Sequence, residues 1–258
     1  MVVAGMTTRE VPAVGAGPLP TTTAASTSLG TMMTEGYSVS PTAMALAQEL
    51  ASLLPPTREG LFNPYATPHQ MDAHGNSPKA KLGRLGAHLD CDPEVILVGE
   101  APGWRGAAVS GVAFTCEDQI LSGAIPRVAR GYERLSGYAS GPFKEGSAAA
   151  VWEILYEVGL AEKAVLWNAI QMHPHLPDNP LCNRTPSTSE VMEGKPAMLA
   201  LRAAFPKAKL VAIGKKSQGL MDRMGLACDL SVRHPSYGGK PEFQASMRAA
   251  FGRRALPN

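Results

Sequence analysis

Four short apolar runs recur from residue 95 onward: Val95–Val98, Val165–Trp167, Leu210–Ile213 and Leu230–Val232. Each is too short for a helix, and the first three have no polar alternation, as expected of strands buried on both faces. Stretches of helical period lie between and after them. "SAAAVWEILYEVGL" (147–160) is amphipathic and ends at a glycine. "STSEVMEGKPAMLALRAAF" (187–205) opens with capping-box spacing. "KSQGLMDRMG" (216–225) and "PEFQASMRAAFGRR" (241–254) follow. Strands alternating with helices predict an α/β fold: a three-layer α/β/α arrangement around a central four-stranded, mostly parallel sheet.

Upstream the pattern weakens. Ser40-Pro41 is a helix start for "PTAMALAQELASLL". Residues 55–90, rich in Pro, Asn, Gly and His, read as loop with a short helix near 78–88. Residues 1–40 contain three charged residues, Arg9, Glu10 and Glu35, and no apolar period. They are expected to be a disordered tail, with residues 41–258 as a single domain.

Composition narrows the class. The net charge is only +2, but from residue 201 onward 11 Lys and Arg face 3 acids. A basic C-terminal quarter suits a phosphate-rich partner, and equally a solvated helix surface. The four cysteines form no C-x-x-C pair, no zinc-finger spacing exists, and no apolar run is long enough to span a bilayer. These features predict reduced thiols, a cytoplasmic location, no membrane partner and no metal. His173-Pro174-His175 supplies two close histidines without a third ligand, a weak metal signal.

In an open parallel sheet, ligands bind beyond the carboxyl ends of the strands. The first predicted strand ends in Gly99-Glu100-Ala101-Pro102-Gly103, the second in Asn168, the third in Gly214, and the fourth in His234-Pro235-Ser236. An acid, an amide and an imidazole therefore fall at one edge, which core packing does not require.

Taken in order, "GEAPG" (99–103), "GVAF" (111–114), "WNAIQMHP" (167–174), "NRTPSTSE" (183–190) and "HPS" (234–236) resemble the motifs of the uracil-DNA glycosylase superfamily. The likeness is strongest to its bacterial and archaeal iron–sulfur branch and spans roughly residues 95–250. The resemblance implies a monofunctional glycosylase that flips uracil from DNA and hydrolyses its N-glycosidic bond, leaving an abasic site and starting base excision repair. It implies Glu100 and His234 as catalytic residues, orienting water and stabilising the departing base. It implies Ala101, Phe114 and Asn168 around the base, with Phe114 stacking and Asn168 reading the Watson–Crick edge. Gly103, Ser236, Tyr237 and Lys240 would contact DNA, with Tyr237 as the wedge and Lys240 on a phosphate. Arg184 would shape the DNA face, or else only pair with Glu190. A monomer suits this work.

Three departures from the superfamily's patterns stand out, the second of them shared with the iron–sulfur branch, which likewise offers a glutamate one residue earlier, here Glu100. The branch holds its cluster with a C-x-x-C pair and cysteines at the positions of Met172 and Gly194, so no cofactor is expected here. Ala101 stands where the classical enzymes carry an aspartate. Gly106 stands where the branch tends to carry an acid near the uracil 5-position. Two other readings remain at this point: a binder of uracil-containing or abasic DNA with little or no hydrolysis, and an enzyme acting on free nucleotides. Neither a Walker sequence nor G-x-G-x-x-G after a strand supports the latter.

Overall fold

The computed structural model describes residues 38–128 and 131–252; the expected tail therefore lies outside the described residues except for 38–40. In chain order the elements are α1 (Pro41–Ser52), β1 (Leu61–Phe62), α2 (Pro78–Leu89), β2 (Val95–Gly99), α3 (Ala107–Ser110), α4 (Glu117–Leu121) and α5 (Gly146–Glu157). They continue with β3 (Ala164–Asn168), β4 (His173–Pro174), α6 (Thr188–Glu193), α7 (Lys195–Ala204), β5 (Lys209–Ile213), α8 (Lys215–Met224), β6 (Leu230–Val232) and α9 (Lys240–Phe251).

The main sheet has the order β3-β2-β5-β6, and all its pairings are parallel. Alternation along β2 divides the core. Val95 and Leu97 face a layer that includes Val151, Trp152 and Leu155 of α5 and Phe243 and Met247 of α9. Ile96 and Val98 face Leu50 of α1, Leu85 of α2, Met198 and Leu201 of α7, and Met221 of α8. The three-layer α/β/α expectation holds. Because both faces are covered, every residue of β2 and β3 is buried, which explains their unbroken apolar runs.

Two local expectations change. The single helix expected over 187–205 is two, α6 and α7, meeting at Gly194. Pro196 lacks an N–H and its ring would strike the carbonyl of Met192 in a continuous helix. At the junction, a Cβ on Gly194 would come within 2.6 Å of Ala169 O, so the bare backbone packs directly on the end of β3. The segment read as loop also holds β1, which pairs antiparallel with β4 in the register Phe62↔His173. A two-residue strand has no periodicity to detect.

The register positions the functional edge. Gly99 and Asn168 are direct neighbours at the ends of β2 and β3, so the chain leaves both strands at the same level. Ala169 N–H then donates to Gly99 O (2.9 Å) and Ile170 N–H to Glu100 O (3.3 Å), carrying the pairing past the strand ends.

Candidate active site

The carboxyl edge of the sheet opens into a cleft of about 840 Å³. Nine of the ten residues singled out from the sequence line it: Glu100, Ala101, Gly103, Phe114, Asn168, Arg184, His234, Ser236 and Tyr237. Lys240 does not. It begins α9 and pairs with Glu153 of α5 at 2.6 Å, away from the cleft lining.

Gly99 lies beneath two of the lining residues. A Cβ there would stand 2.6 Å from Asn168 Oδ1 and 2.7 Å from Phe114 Cζ. The amide and the ring converge over a bare backbone, which is why β2 must end in glycine. Phe114 reaches this position with φ +48°, unusual for a bulky residue. Its carbonyl is fixed by Trp152 Nε1–H at 3.0 Å. Asn168 is almost fully buried, and its Nδ2 donates to Gln171 Oε1 at 2.8 Å.

The acid-bearing turn is held from outside. His173 Nδ1 lies 2.9 Å from Pro102 O. Trp104 N–H donates to Asn183 Oδ1 at 3.0 Å, and Ser217 Oγ–H donates to Val98 O at 2.6 Å. Glu100 therefore extends from a fixed backbone. Its carboxylate lies 3.5 Å from Lys216 Nζ, which also donates to Thr185 Oγ1 at 2.7 Å.

His234 faces the same space, with its ring centroid 6.3 Å from that of Phe114. Ser236 N–H donates to its Nδ1 at 3.2 Å. An acceptor Nδ1 leaves the proton of the neutral ring on Nε2. Burial lowers the His234 pKa, so the neutral form persists to lower pH than for a free histidine. The chain beyond His234 turns sharply: Tyr237 has φ +51° and Gly238 φ +75°, and a Cβ on Gly239 would overlap His234 O. These two glycines let the turn fold back on the histidine while leaving Tyr237 fully exposed at the rim.

Arg184 lines the cleft but has no donor left for a phosphate. Nε–H goes to His175 O, Nη1 to Thr185 O and Glu190 Oε2, and Nη2 to Gly60 O and Glu190 Oε1, at 2.6–3.3 Å. The ion pair with Glu190 foreseen as the alternative role is the one formed. Arg184 hydrogen bonding holds the Glu190 carboxyl down at about 2.

Three cleft residues had no place in the sequence reading. Lys216 follows a strand end in an ordinary basic helix start. Asn183 belongs to a quoted motif, but its clamp on Trp104 has no sequence signature. Glu145 lies in a loop far from any motif. Its Oε2 occupies the volume that a Cβ on Gly106 would fill, and Ser147 Oγ–H donates to its Oε1 at 2.6 Å. A carboxyl thus stands beside Gly106 after all, supplied by another segment. Burial raises its pKa.

The cluster positions of the iron–sulfur branch do not fit a cluster. Met172 is fully buried in the apolar layer with Val191, and Gly194 packs against backbone. All four cysteines are free, and the described residues contain no group of three or more His, Cys, Asp or Glu able to hold a metal ion. Among the described residues no helix is long and apolar enough to cross a membrane.

Residues 87–251 match the model of the uracil DNA glycosylase superfamily. The match covers well over half of the chain and every cleft element described above: the chain belongs to the uracil DNA glycosylase superfamily. Among solved structures it is similar to wild-type Pedobacter heparinus SMUG2, with a TM-score of 0.53 at 13% identity, covering 80% of this chain and 96% of that one. That likeness is one of fold. No curated protein matches the chain.

Proposed function

We propose that the protein is a monofunctional DNA glycosylase that excises uracil from DNA by hydrolysis, acting as a cytoplasmic monomer and leaving an abasic site. One observation carries the reading most: Asn168 Oδ1 and the Phe114 ring meet over Gly99 in a cleft that also holds Glu100 and His234.

A base inside a duplex is out of reach, so the nucleotide is flipped into the cleft. Phe114 stacks on the ring, worth about 1–3 kcal/mol. Asn168 Oδ1 accepts from uracil N3–H, where cytosine would present an acceptor instead. Ala101, beside the base, adds no charge. As the glycosidic bond breaks, negative charge gathers on the base and positive charge on the sugar. His234 donates Nε2–H to uracil O2 and stabilises the anion without supplying a full positive charge. Glu100 holds the attacking water and faces the cationic sugar. Lys216 pairs with that carboxylate at 3.5 Å. Gly103 and Ser236 offer backbone and hydroxyl contacts to the phosphates on either side. Tyr237 fills the gap left in the stack.

Single-turnover cleavage of a uracil-containing oligonucleotide tests this, with alkali to reveal abasic sites. Wild type releases uracil; Glu100→Gln and His234→Ala each slow release by about 10²–10³-fold. Binding of the uracil strand without release of base overturns the catalytic reading and leaves a reader on a glycosylase scaffold.

A further inference from the structure

Uracil and cytosine share a ring shape and differ on the edge that an amide can read. An asparagine amide is nearly symmetric in shape. It discriminates only if something fixes which end is oxygen. Here the fixing can be followed outward from the cleft.

Tyr65 OH lies 2.7 Å from Gly111 O. A carbonyl can only accept, so the phenolic proton is committed to it. The Tyr65 oxygen must then accept from its other neighbour, and Gln171 Nε2 stands there at 3.2 Å. The Gln171 amide is thereby oriented with Oε1 toward Asn168, which answers with Nδ2 at 2.8 Å. Asn168 Oδ1 is left on the opposite side, over Gly99. Two features keep this chain in place. Gly111 is wedged at φ +79°, where a Cβ would meet Lys81 Cβ at 2.7 Å, so its carbonyl cannot drift. Burial raises the Tyr65 pKa, so the phenol keeps its proton across the working range. Gly111 also lies three residues before Phe114, so the loop that carries the stacking ring anchors the amide too.

We infer that Tyr65 and Gln171 are positioning residues that fix the polarity of the Asn168 amide and thereby set the preference for uracil over cytosine. The inference rests on the uracil reading above. Neither residue lines the cleft. Reversing Asn168 requires reversing Gln171. Its Oε1 would then confront the Tyr65 oxygen, or Tyr65 would have to withdraw its proton from Gly111 O. Leaving a buried carbonyl without that donor corresponds to a population bias of about 5- to 150-fold. Tyr65→Phe abolishes the bias, because both amide pairings become equivalent.

The test measures affinity for oligonucleotides carrying 2′-fluoro-2′-deoxyuridine or 2′-fluoro-2′-deoxycytidine, whose fluorine disfavours the cationic sugar and blocks hydrolysis. Affinity for a tetrahydrofuran abasic analogue serves as the control, since it involves no base. Tyr65→Phe and Gln171→Met are expected to lower the uracil-to-cytosine affinity ratio by about 5- to 150-fold while abasic binding is unchanged. A purely structural role would weaken all three ligands together and leave the ratio intact. If wild type prefers uracil and both folded variants keep the full preference, the positioning role is overturned. If wild type itself shows no preference, the uracil reading fails first.

Discussion

Lowering the pH from 7 to 5 should remove a large part of this protein's stability, through three histidines that have no part in the proposed chemistry. His69, His88 and His173 are buried. Burial lowers the pKa of His69 and of His88 to about 3 and that of His173 to about 4. Bonding agrees for the first two. His88 Nε2 accepts the Leu166 N–H at 2.8 Å, and His69 Nδ1 accepts the Met71 N–H at 3.2 Å. Protonating either nitrogen destroys its bond, and for His88 the bond lost belongs to β3, the strand that carries Asn168. A base with a depressed folded pKa stays neutral in the native state while the unfolded chain takes up a proton near pH 6.5. Stability is therefore intact above that value and falls as the pH drops toward the folded pKa. At pH 5 each histidine costs about 2 kcal/mol, about 6 kcal/mol for the three. Asp72 and Glu145 work the other way, because burial raises their carboxyl pKa values and the folded state takes up those protons first. The net loss is therefore smaller than about 6 kcal/mol, against a total stability of about 5–15 kcal/mol for a domain. Urea unfolding at constant ionic strength, followed by the fluorescence of buried Trp152 and Trp167, measures it. A change below about 1 kcal/mol between pH 7 and pH 5, or imidazole resonances of all three titrating near 6.5 in the folded protein, would refute the reasoning. Loss of stability then contributes to the acid limb of any activity profile.

Two substitutions probe the cleft itself. Gly99→Ala would push a methyl group into both Asn168 Oδ1 and the Phe114 ring. It should slow uracil release by about 100-fold, as expected when a reading group is displaced by an ångström, and a normal rate in the folded variant would show that the bare backbone at Gly99 does not set the place of the amide and ring. Tyr237→Ala removes a fully exposed side chain. Stability should stay within about 0.5 kcal/mol, while release from double-stranded DNA falls more than from single-stranded DNA, where no stack needs filling. Equal losses on the two substrates would remove Tyr237 as the wedge.

The sheet was legible because it is buried on both faces. Continuous apolar runs such as Val95–Val98 and Leu210–Ile213 are accounted for by that burial, and both give way to a glycine at one edge of the sheet. The motif residues were legible for the same reason: strand ends converge by topology, so Glu100, Asn168 and His234 could be brought together from their places in the order of strands. What escaped is whatever depends on long-range folding of irregular chain. Glu145 approaches Gly106 by way of a loop, and Tyr65 reaches Gln171 across 106 positions in the sequence. Arg184 illustrates a different limit. Its motif marks it as functional, but only the count of its five donors shows that they are spent on Glu190 and three carbonyls. The helix break at Gly194 was written in Pro196, yet outweighed in the pattern by the apolar period on either side.

The meeting of ring and amide over Gly99 has a consequence for how such a pocket changes over generations. What lies beneath that ring and amide is main chain, and main chain has no alternatives to sample. Substitutions at that position can only obstruct; none can deepen the pocket or re-tune its base. Variation toward larger or differently substituted bases is therefore channelled to the walls. There Gly106 and Glu145 form a pair in which one residue's missing side chain is the other's lodging, and a single exchange at either site redraws the boundary. The lineage inherits a fixed depth and an adjustable width.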